Sequence, residues 1–212
     1  MGGRWVRILV CASVLAAAGC VGAVDRADFE ERMRARGGGL VSALPLGAIS
    51  ALSQRLGVPE VQATVLVLTA PDSANFRVVL ADQPPQVTAF LAEHDLTSRE
   101  AAVWLRVRTD RRLDDYAYLY GTLGPGDPVR VSAREDLDAD SFTLNAVTGL
   151  SRVEEIVDTA LARSELDGAH VPVIVVARFD GDIRIVANVV SSRAEIIAEF
   201  DETGQFTRIR PV

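Results

Sequence analysis

The dipeptide Asp180-Gly181 is the feature that most restricts the fold of this chain. It separates two runs, Val173–Phe179 and Asp182–Val189, that are rich in β-branched residues. Asp-Gly favours a two-residue type I′ turn, because both of its positions tolerate a positive φ angle. We therefore predict a β-hairpin, followed by strands over 193–200 and 206–209. One face of the resulting antiparallel sheet would carry Ile174, Val176, Ile183, Ile185, Ala187 and Val189.

Two amphipathic helices are predicted, one ahead of each set of strands. The first covers residues 44–56 and ends at Gly57, a residue suited to a helix C-terminus. The second starts at an S-x-x-E capping box formed by Ser151 and Glu154, and an apolar stripe follows. The predicted fold class is therefore α+β, with two tandem units, each an amphipathic helix packed on an antiparallel sheet. Two such units would bury a shared core.

The predicted units span residues 40–133 and 134–212. The segment 84–95 leaves two structures open. Pro84-Pro85 favours a helix, whereas a true repeat of 61–95 in 171–202 would make the segment a strand. The strands predicted in the first unit cover 61–69, 76–81, 102–108, 115–120 and 129–132, with a polar turn at 110–114.

The first 20 residues have the features of a secretory signal. Arg4 and Arg7 precede an apolar stretch, residues 8–18. This stretch is shorter than the ~20 apolar residues of a membrane-spanning helix, and it suits the h-region of a signal peptide. It ends in Ala17-Ala18-Gly19-Cys20, which resembles the lipobox of bacterial lipoproteins, although Ala17 replaces the usual Leu.

The lipobox resemblance implies that residues 1–19 are a signal peptide and that Cys20 carries the lipid, with acyl chains such as palmitate. Cys11 lies in the removed segment, so Cys20 would be the single thiol of the mature chain. We expect an exported protein at the outer face of the cytoplasmic membrane, with the membrane as a partner through the anchor. An ordinary signal peptide cut near Ala23 is the alternative. Residues 20–39 would form a spacer or a packed helix.

The charge balance argues against a nucleic-acid partner. All 22 basic side chains are Arg, against 29 acidic ones, which gives a net charge of −7. Removal of Arg4 and Arg7 would leave −9. A nucleic-acid binder instead needs a basic surface that releases phosphate counterions.

Several segments together resemble a group of exported actinobacterial lipoproteins of unknown function. They are Arg36-Gly37-Gly38-Gly39-Leu40, Tyr116-Ala117-Tyr118, Pro128-Val129-Arg130-Val131, Leu137–Leu144 and the second helix with Val171–Val176. In that group two helix-plus-sheet units, similar to PepSY or to beta-lactamase-inhibitory-protein repeats, follow a lipobox. The resemblance implies a fold and an anchor, and no catalytic residue.

No established catalytic or metal-binding motif is found, so we expect no enzyme activity, no cofactor and no metal. Asp136, Asp138 and Asp140 have the spacing that opens an EF-hand, but the later ligands are missing, which favours a solvated connector. His94 stands beside Asp95, and we interpret it as a surface histidine at the end of an element. A hydrolase built on His94 stays open, because a catalytic triad is recognised only in three dimensions.

An aromatic patch flanked by arginines is the candidate interaction surface. It comprises Trp104, Arg106, Arg108, Tyr116, Tyr118 and Tyr120. The three tyrosines would share one strand face, and such residues are frequent in protein interfaces. We expect a non-enzymatic binding or interaction module that contacts an envelope protein or a glycan. The alternatives are that the rings cover the core, that nearby acids neutralise the arginines, and that the protein carries a lipid or another hydrophobic ligand.

Overall fold

The computed structural model of the protein describes residues 39–71, 73, 83–131 and 136–212. Cys20, the rest of the proposed spacer up to residue 38 and the strand predicted over 76–81 lie outside these residues. The described part is α+β, with an antiparallel sheet and a few helices, and this confirms the α+β class of the prediction. None of the described helices is long and apolar enough to cross a membrane.

Four α-helices and ten strands are described, and two 3-10 turns cover Leu144–Ala146 and Thr148–Arg152. The helices are α1 (Ala43–Leu56), α2 (Pro85–Glu93), α3 (Leu137–Asp140) and α4 (Val153–Ser164). The strands are β1 (Gln62–Thr69), β2 (Ala102–Thr109), β3 (Arg112–Leu119), β4 (Thr122–Leu123), β5 (Asp127–Val129), β6 (Phe142–Thr143), β7 (His170–Phe179), β8 (Asp182–Val190), β9 (Glu195–Asp201) and β10 (Phe206–Pro211).

The described strands form one continuous sheet in the order β10-β9-β8-β7-β1-β2-β3-β4. Strand β7 pairs antiparallel with β1, so strands from the two halves of the chain meet at the centre. Strands β5 and β6 pair with β3 and β1. The predicted hairpin joins β7 and β8, with φ angles of 53° at Asp180 and 91° at Gly181.

Apolar side chains cover both faces of the sheet. Helices α1 and α4 pack on one face through Ala48, Leu52, Ile156 and Val157, and we call it the α1/α4 face. Helix α2 packs on the other, the α2 face, through Val87 and Phe90. The face predicted for the second hairpin is confirmed, since Ile174, Val176, Ile185, Ala187 and Val189 join the α1/α4 core and Ile183 packs against it.

The ends of α1 and α2 agree with the residues that favour helix ends in the sequence. Helix α1 ends at Gly57, which has a φ of 67° and whose left-handed conformation glycine accepts without strain. Residues 85–93 form a helix, with Pro85 in its first turn, so the strand alternative for this segment is wrong.

The predicted capping box at Ser151 is wrong. Helix α4 begins at Val153, and the Ser151 hydroxyl donates instead to the carbonyl of Thr148 at 2.7 Å. Ser42 takes the capping role from the other half of the chain. Its Oγ accepts the N–H of Val153 at 3.0 Å, and its own N–H donates to Glu154 Oε1 at 3.0 Å. This is the reciprocal pattern of a capping box, made between distant segments.

Candidate functional site

The predicted aromatic and arginine surface is divided between the two faces of the sheet. Directly paired residues share a face, and in the β2–β3 ladder Trp104 lies opposite Ala117 and Arg106 opposite Asp115. Trp104 packs against the core of the α2 face, whereas Tyr116 belongs to the α1/α4 core. Arg106 and Arg108 follow Trp104 at intervals of two along β2 and share its face, whereas Tyr116 and Tyr118 lie on the other face, so the expectation of one continuous surface is wrong.

The tyrosines take up positions in and beside the core. Tyr116 is buried, and burial raises its pKa above the usual value, together with the charge of Asp114 and against that of Arg55. Tyr118 packs on α1, where a Cβ added to Gly47 would lie 2.7 Å from its hydroxyl oxygen. Tyr120 follows the end of β3 and is 63 % exposed. For Tyr116 and Tyr118 the alternative interpretation, that the rings cover the core, is confirmed.

Trp104 and Arg108 are held by structural contacts. The indole Nε1 of Trp104 donates to Thr69 Oγ1 at 3.0 Å. Arg108 donates to the carbonyl of Leu137 at 2.8 Å and pairs with Asp138 at 2.6 Å. The two Arg108 contacts fix α3 on the α2 face of the sheet, and the carboxylate that neutralises Arg108 is that of Asp138 and not one of the acids near Arg108 in the sequence.

Arg106 is the centre of a buried charge network on the α2 face. Its residue is only 4 % exposed. Nε and Nη2 each donate to one oxygen of Asp115 at 2.8 Å, and Nη2 also donates to Glu93 at 2.5 Å. The guanidinium carbon lies 5.2 Å from the centre of the Phe90 ring. Two carboxylates and an aromatic face therefore hold one cation in a fixed orientation.

The environment of Arg106 stabilises its charge. Burial alone would lower its pKa, but the hydrogen bonds that it donates to Asp115 and Glu93, together with their charges, outweigh burial, and the pKa is raised. A buried pair of this kind is costly to break, because removal of one partner leaves an uncompensated charge.

His94 joins the same network. Its Nε2 lies 2.7 Å from Asp115 Oδ2, and its ring centre lies 4.7 Å from that of Phe90. A carboxylate that also binds Arg106 is an acceptor, so we assign the proton to Nε2. The sequence neighbour Asp95 is not the partner, since it accepts from the N–H and hydroxyl of Thr97.

The network has the histidine and carboxylate of a hydrolase, but a hydroxyl nucleophile bonded to the histidine is not found among the described residues. A carboxylate, Asp115, binds the His94 ring, but among the described residues no serine or threonine hydroxyl is hydrogen-bonded to it. Glu93, His94 and Asp115 also have ligand atoms within 4.8 Å of one another, a spacing open to a metal ion. The Arg106 guanidinium is bonded to both carboxylates, however, and supplies the positive charge that a metal would bring.

A β-bulge at Thr64 places an additional side chain beside this network. Ala63 is opposite Val107 and Val65 is opposite Arg106, so β1 has one residue more than β2 at this point. Ala63 belongs to the α1/α4 core and Val65 to the α2 core, whereas regular alternation would put both on one face. Bulges re-aim side chains, and they are common next to binding and active sites.

The hydroxyl of Thr64 is buried without a hydrogen-bond partner. The residue is 1 % exposed, and no described residue bonds to Oγ1. A buried hydroxyl left in this way costs about 1–3 kcal/mol. Thr64 lines a cavity of about 390 Å³ between α2 and α3. The other lining residues are Pro85, Gln86, Ala89, Glu93, Arg106, Leu113, Val129, Arg130, Asp136, Leu137 and Asp140.

The acidic segment that follows residue 135 forms one wall of this cavity. Asp136 caps the short helix α3 by accepting the N–H groups of Asp138 and Ala139 at 3.2 and 3.1 Å. Asp138 pairs with Arg108, so the segment is tied to the sheet by its carboxylates. Asp136 therefore caps the start of α3, and Asp138 forms an ion pair with the sheet.

Thr64, Glu93 and Asp115 were not among the site residues predicted from the sequence. Asp115 and Arg106 could have been paired from the hairpin register, had the turn been placed at Asp110-Arg111, where the structure has it. The bulge at Thr64 has no signal in the local sequence. We compared the chain with protein-family models, with curated proteins and with solved structures, and found no match.

Proposed function

We propose that the protein is an exported lipoprotein, anchored through Cys20 at the outer face of the cytoplasmic membrane, whose folded body binds a ligand without catalysis. The support for the anchor is the order of a positive segment, an apolar stretch and Ala17-Ala18-Gly19-Cys20 at the start of the chain. Two acyl chains supply the two membrane signals that stable anchoring requires. The body carries an acidic excess, so an anionic bilayer surface would not hold it by charge.

The unpartnered hydroxyl of Thr64 is the observation that supports binding in the cavity. The chain has a β-bulge and a buried hydroxyl at Thr64, beside the Arg106 network, although a valine side chain would fill the same space. Such a group is satisfied if a ligand provides its hydrogen bond. A cavity of about 390 Å³ lies within the range of ~300–1,000 Å³ that is typical of small-molecule sites.

Two other functions fit these contacts less well. A hydrolase would need a nucleophile bonded to His94, and the described hydroxyls do not supply one. A carrier of acyl chains would need an apolar lining, whereas Glu93, Arg106 and Asp136 line this cavity. An envelope protein or a glycan as a partner stays a prediction, and exposed Tyr120 is its strongest remaining contact residue.

We also propose that the sheet derives from two related units, as in the PepSY-like and beta-lactamase-inhibitory-protein-like repeats of the lipoproteins that the sequence resembles. The support is the pairing of β1 with β7 at the centre of the sheet, with α1 and α4 on the same face. In this proposal α2, which lies between β1 and β2, is an addition to the first unit, since a two-residue turn joins β7 to β8.

Fatty-acid labelling of living bacteria tests the anchor. The full chain should incorporate an alkyne-tagged fatty acid, and Cys20→Ala should abolish both the label and membrane retention. Cys11→Ala is the matched control and should keep both. A label that persists in Cys20→Ala would contradict the proposal.

Saturation-transfer NMR tests binding in the cavity. The full chain in detergent micelles would be screened against a mixture of amino acids, peptides, sugars, sugar phosphates and organic acids. At least one compound should give a signal that disappears in Thr64→Val. If no signal depends on Thr64, the cavity is not the binding site and the proposed function is wrong.

A further inference from the structure

We infer that Arg184 on β8 and Arg208 on β10 bind a phosphate group, either free phosphate or the phosphate of a lipid headgroup. The site shares no lining residue with the cavity beside Thr64, and the inference does not rest on the proposed function. It follows from a guanidinium group that is mostly buried and forms no hydrogen bond with a described residue.

The strand register brings charges from three neighbouring strands together. In the β8–β9 ladder Val186 lies opposite Glu199, and in the β9–β10 ladder Arg208 lies opposite Glu199. Arg184 is two residues before Val186, so it shares the face of Val186, which is the α2 face. Arg184, Glu199 and Arg208 therefore lie side by side on one face of the sheet.

Glu199 is a buried carboxylate whose two oxygens are already in use. The residue is 1 % exposed, and its Oε2 accepts from Arg208 Nε at 2.9 Å. Its Oε1 accepts from Arg208 Nη2 at 3.4 Å and lies 2.5 Å from Arg210 Nε. Arg184 Nη1 stays 3.6 Å from Oε2, too far for a hydrogen bond. One carboxylate thus faces three guanidinium groups, and Arg184 is the one to which it is not hydrogen-bonded.

Arg184 is held in place without the use of its donors. Its side chain is 21 % exposed, and its guanidinium carbon lies 5.8 Å from the centre of the Phe179 ring. Its Nη1 is buried with no described hydrogen-bond partner. The carboxylate of Asp180 is 3.8 Å from Nη2 but 80 % exposed, so this ion pair is weak. Because unmade hydrogen bonds at a mostly buried cation are costly, a ligand that accepts them would be stabilised here.

Phosphate is the ligand group that suits this pair of arginines. Their nitrogens approach the same oxygen, Glu199 Oε2, at 3.6 Å for Arg184 and 2.9 Å for Arg208. Arg208 uses Nε and Nη2 for Glu199, and no described residue bonds to its Nη1. Arg210 is not counted as a donor, because it has an interaction besides Glu199. A phosphate group offers three acceptor oxygens in different directions, and guanidinium groups bind such oxygens in pairs.

The acids beside the site lower its affinity but leave its donors open. The two arginines line an open cavity of about 680 Å³, whose other charged residues include Arg178, Asp182, Asp201 and Glu202. Asp201 accepts from the turn between β9 and β10. Asp182 and Glu202 are exposed, so water and salt screen their charges. Arg178 donates to the carbonyls of Ser141 and Gly181 and keeps its positive charge beside the site.

Calorimetric titration with inorganic phosphate tests the site. The full chain in micelles of a sugar-based detergent should bind phosphate in a buffer whose ionic strength is held constant with chloride. Arg184→Gln should weaken this binding at least tenfold. Arg193→Gln removes an exposed arginine outside the cluster and is the matched control, with unchanged affinity. Asp180→Asn removes the weak partner of Arg184 and should strengthen binding two- to threefold.

Thermal unfolding separates a binding role of Arg184 from a structural one. Without phosphate, Arg184→Gln should lower the melting temperature less than Arg208→Gln does, because Arg208 is hydrogen-bonded to Glu199 and Arg184 is not. Phosphate should raise the melting temperature of the wild type and not that of Arg184→Gln. If Arg184→Gln is as destabilised as Arg208→Gln, or if its phosphate binding equals that of the wild type, the inference is wrong.

Nanodiscs of two compositions identify the source of the phosphate group. The anchored chain would be placed in nanodiscs of phosphatidylcholine, with or without phosphatidylglycerol, and titrated with inorganic phosphate. A lipid headgroup in the site predicts that phosphatidylglycerol weakens phosphate binding severalfold, and that Arg184→Gln removes the difference. Free phosphate as the ligand predicts equal binding in both nanodiscs. Absence of phosphate binding in micelles and in both nanodiscs would overturn the inference and leave the proposed function at Thr64 untouched.

Discussion

The backbone N–H of Ser42 donates to Glu154 Oε1 at 3.0 Å, although 112 residues separate them in sequence. The Ser42 hydroxyl completes the contact by accepting the N–H of Val153 at 3.0 Å. Ser42 also precedes α1 and makes no side-chain bond to that helix. One residue therefore joins the start of the first helix to the start of α4, and it fixes both on the same face of the sheet.

Replacement of Ser42 by alanine should lower the free energy of unfolding by about 1 kcal/mol, the usual cost of a lost helix cap. Urea denaturation measures this change. Ser151→Ala is the control, since the described hydrogen bond of the Ser151 hydroxyl goes to the carbonyl of Thr148 within its own turn, and the effect should stay within about 0.5 kcal/mol. A larger loss for Ser151→Ala than for Ser42→Ala would restore the capping box expected from the sequence.

The same contact should make stability depend on acid pH. Burial alone would raise the pKa of Glu154, but the hydrogen bonds from Ser42 prevail and lower it below the usual value. A lowered pKa means that the contribution is complete above the pKa of the unfolded chain and is lost as pH falls through the folded pKa. The difference in unfolding free energy between wild type and Glu154→Gln should therefore be constant near neutrality and shrink below about pH 4.5. A difference that grows in acid would contradict this assignment.

The pair Arg106–Asp115 should be the most sensitive polar contact of the described core. Asp115→Asn leaves a buried guanidinium with Glu93 as its remaining carboxylate, and breaking such pairs costs about 3–5 kcal/mol. Arg106→Met with Asp115→Leu should recover much of this loss, because an apolar pair needs no compensation. Guanidinium denaturation of the single and double variants gives the coupling energy. Additive losses in the double variant would show that the two side chains act independently.

Much of the second half of the chain could be predicted from the sequence, because its strongest signals are local. Asp180-Gly181 restricts two adjacent residues to positive φ, and the strands on either side follow from it. The start of α4 could not be predicted in the same way. Its cap comes from Ser42, and a contact over such a distance leaves no pattern in a short window.

The Arg106–Asp115 pair was not predicted, because the turn between β2 and β3 was placed over the wrong residues. A turn over 110–114 would place Arg106 opposite Tyr118, whereas the actual turn at Asp110-Arg111 places Arg106 opposite Asp115. A register that shifts by an odd number of residues transfers a strand's side chains to the other face. The predicted aromatic surface therefore became a buried ion network on one face and a tyrosine-covered core on the other.

The most direct test of the central claim is the unfolding free energy of Thr64→Val in the absence of ligand. The Thr64 hydroxyl is buried without a described hydrogen-bond partner, and we propose that it is kept for a ligand, so its removal should raise the unfolding free energy by about 1 kcal/mol. Thr69→Val in the same strand is the matched control, and it should lower stability because Thr69 accepts from Trp104. If Thr64→Val lowers stability as Thr69→Val does, the hydroxyl serves the fold, and the claim of a binding site at the bulge is contradicted.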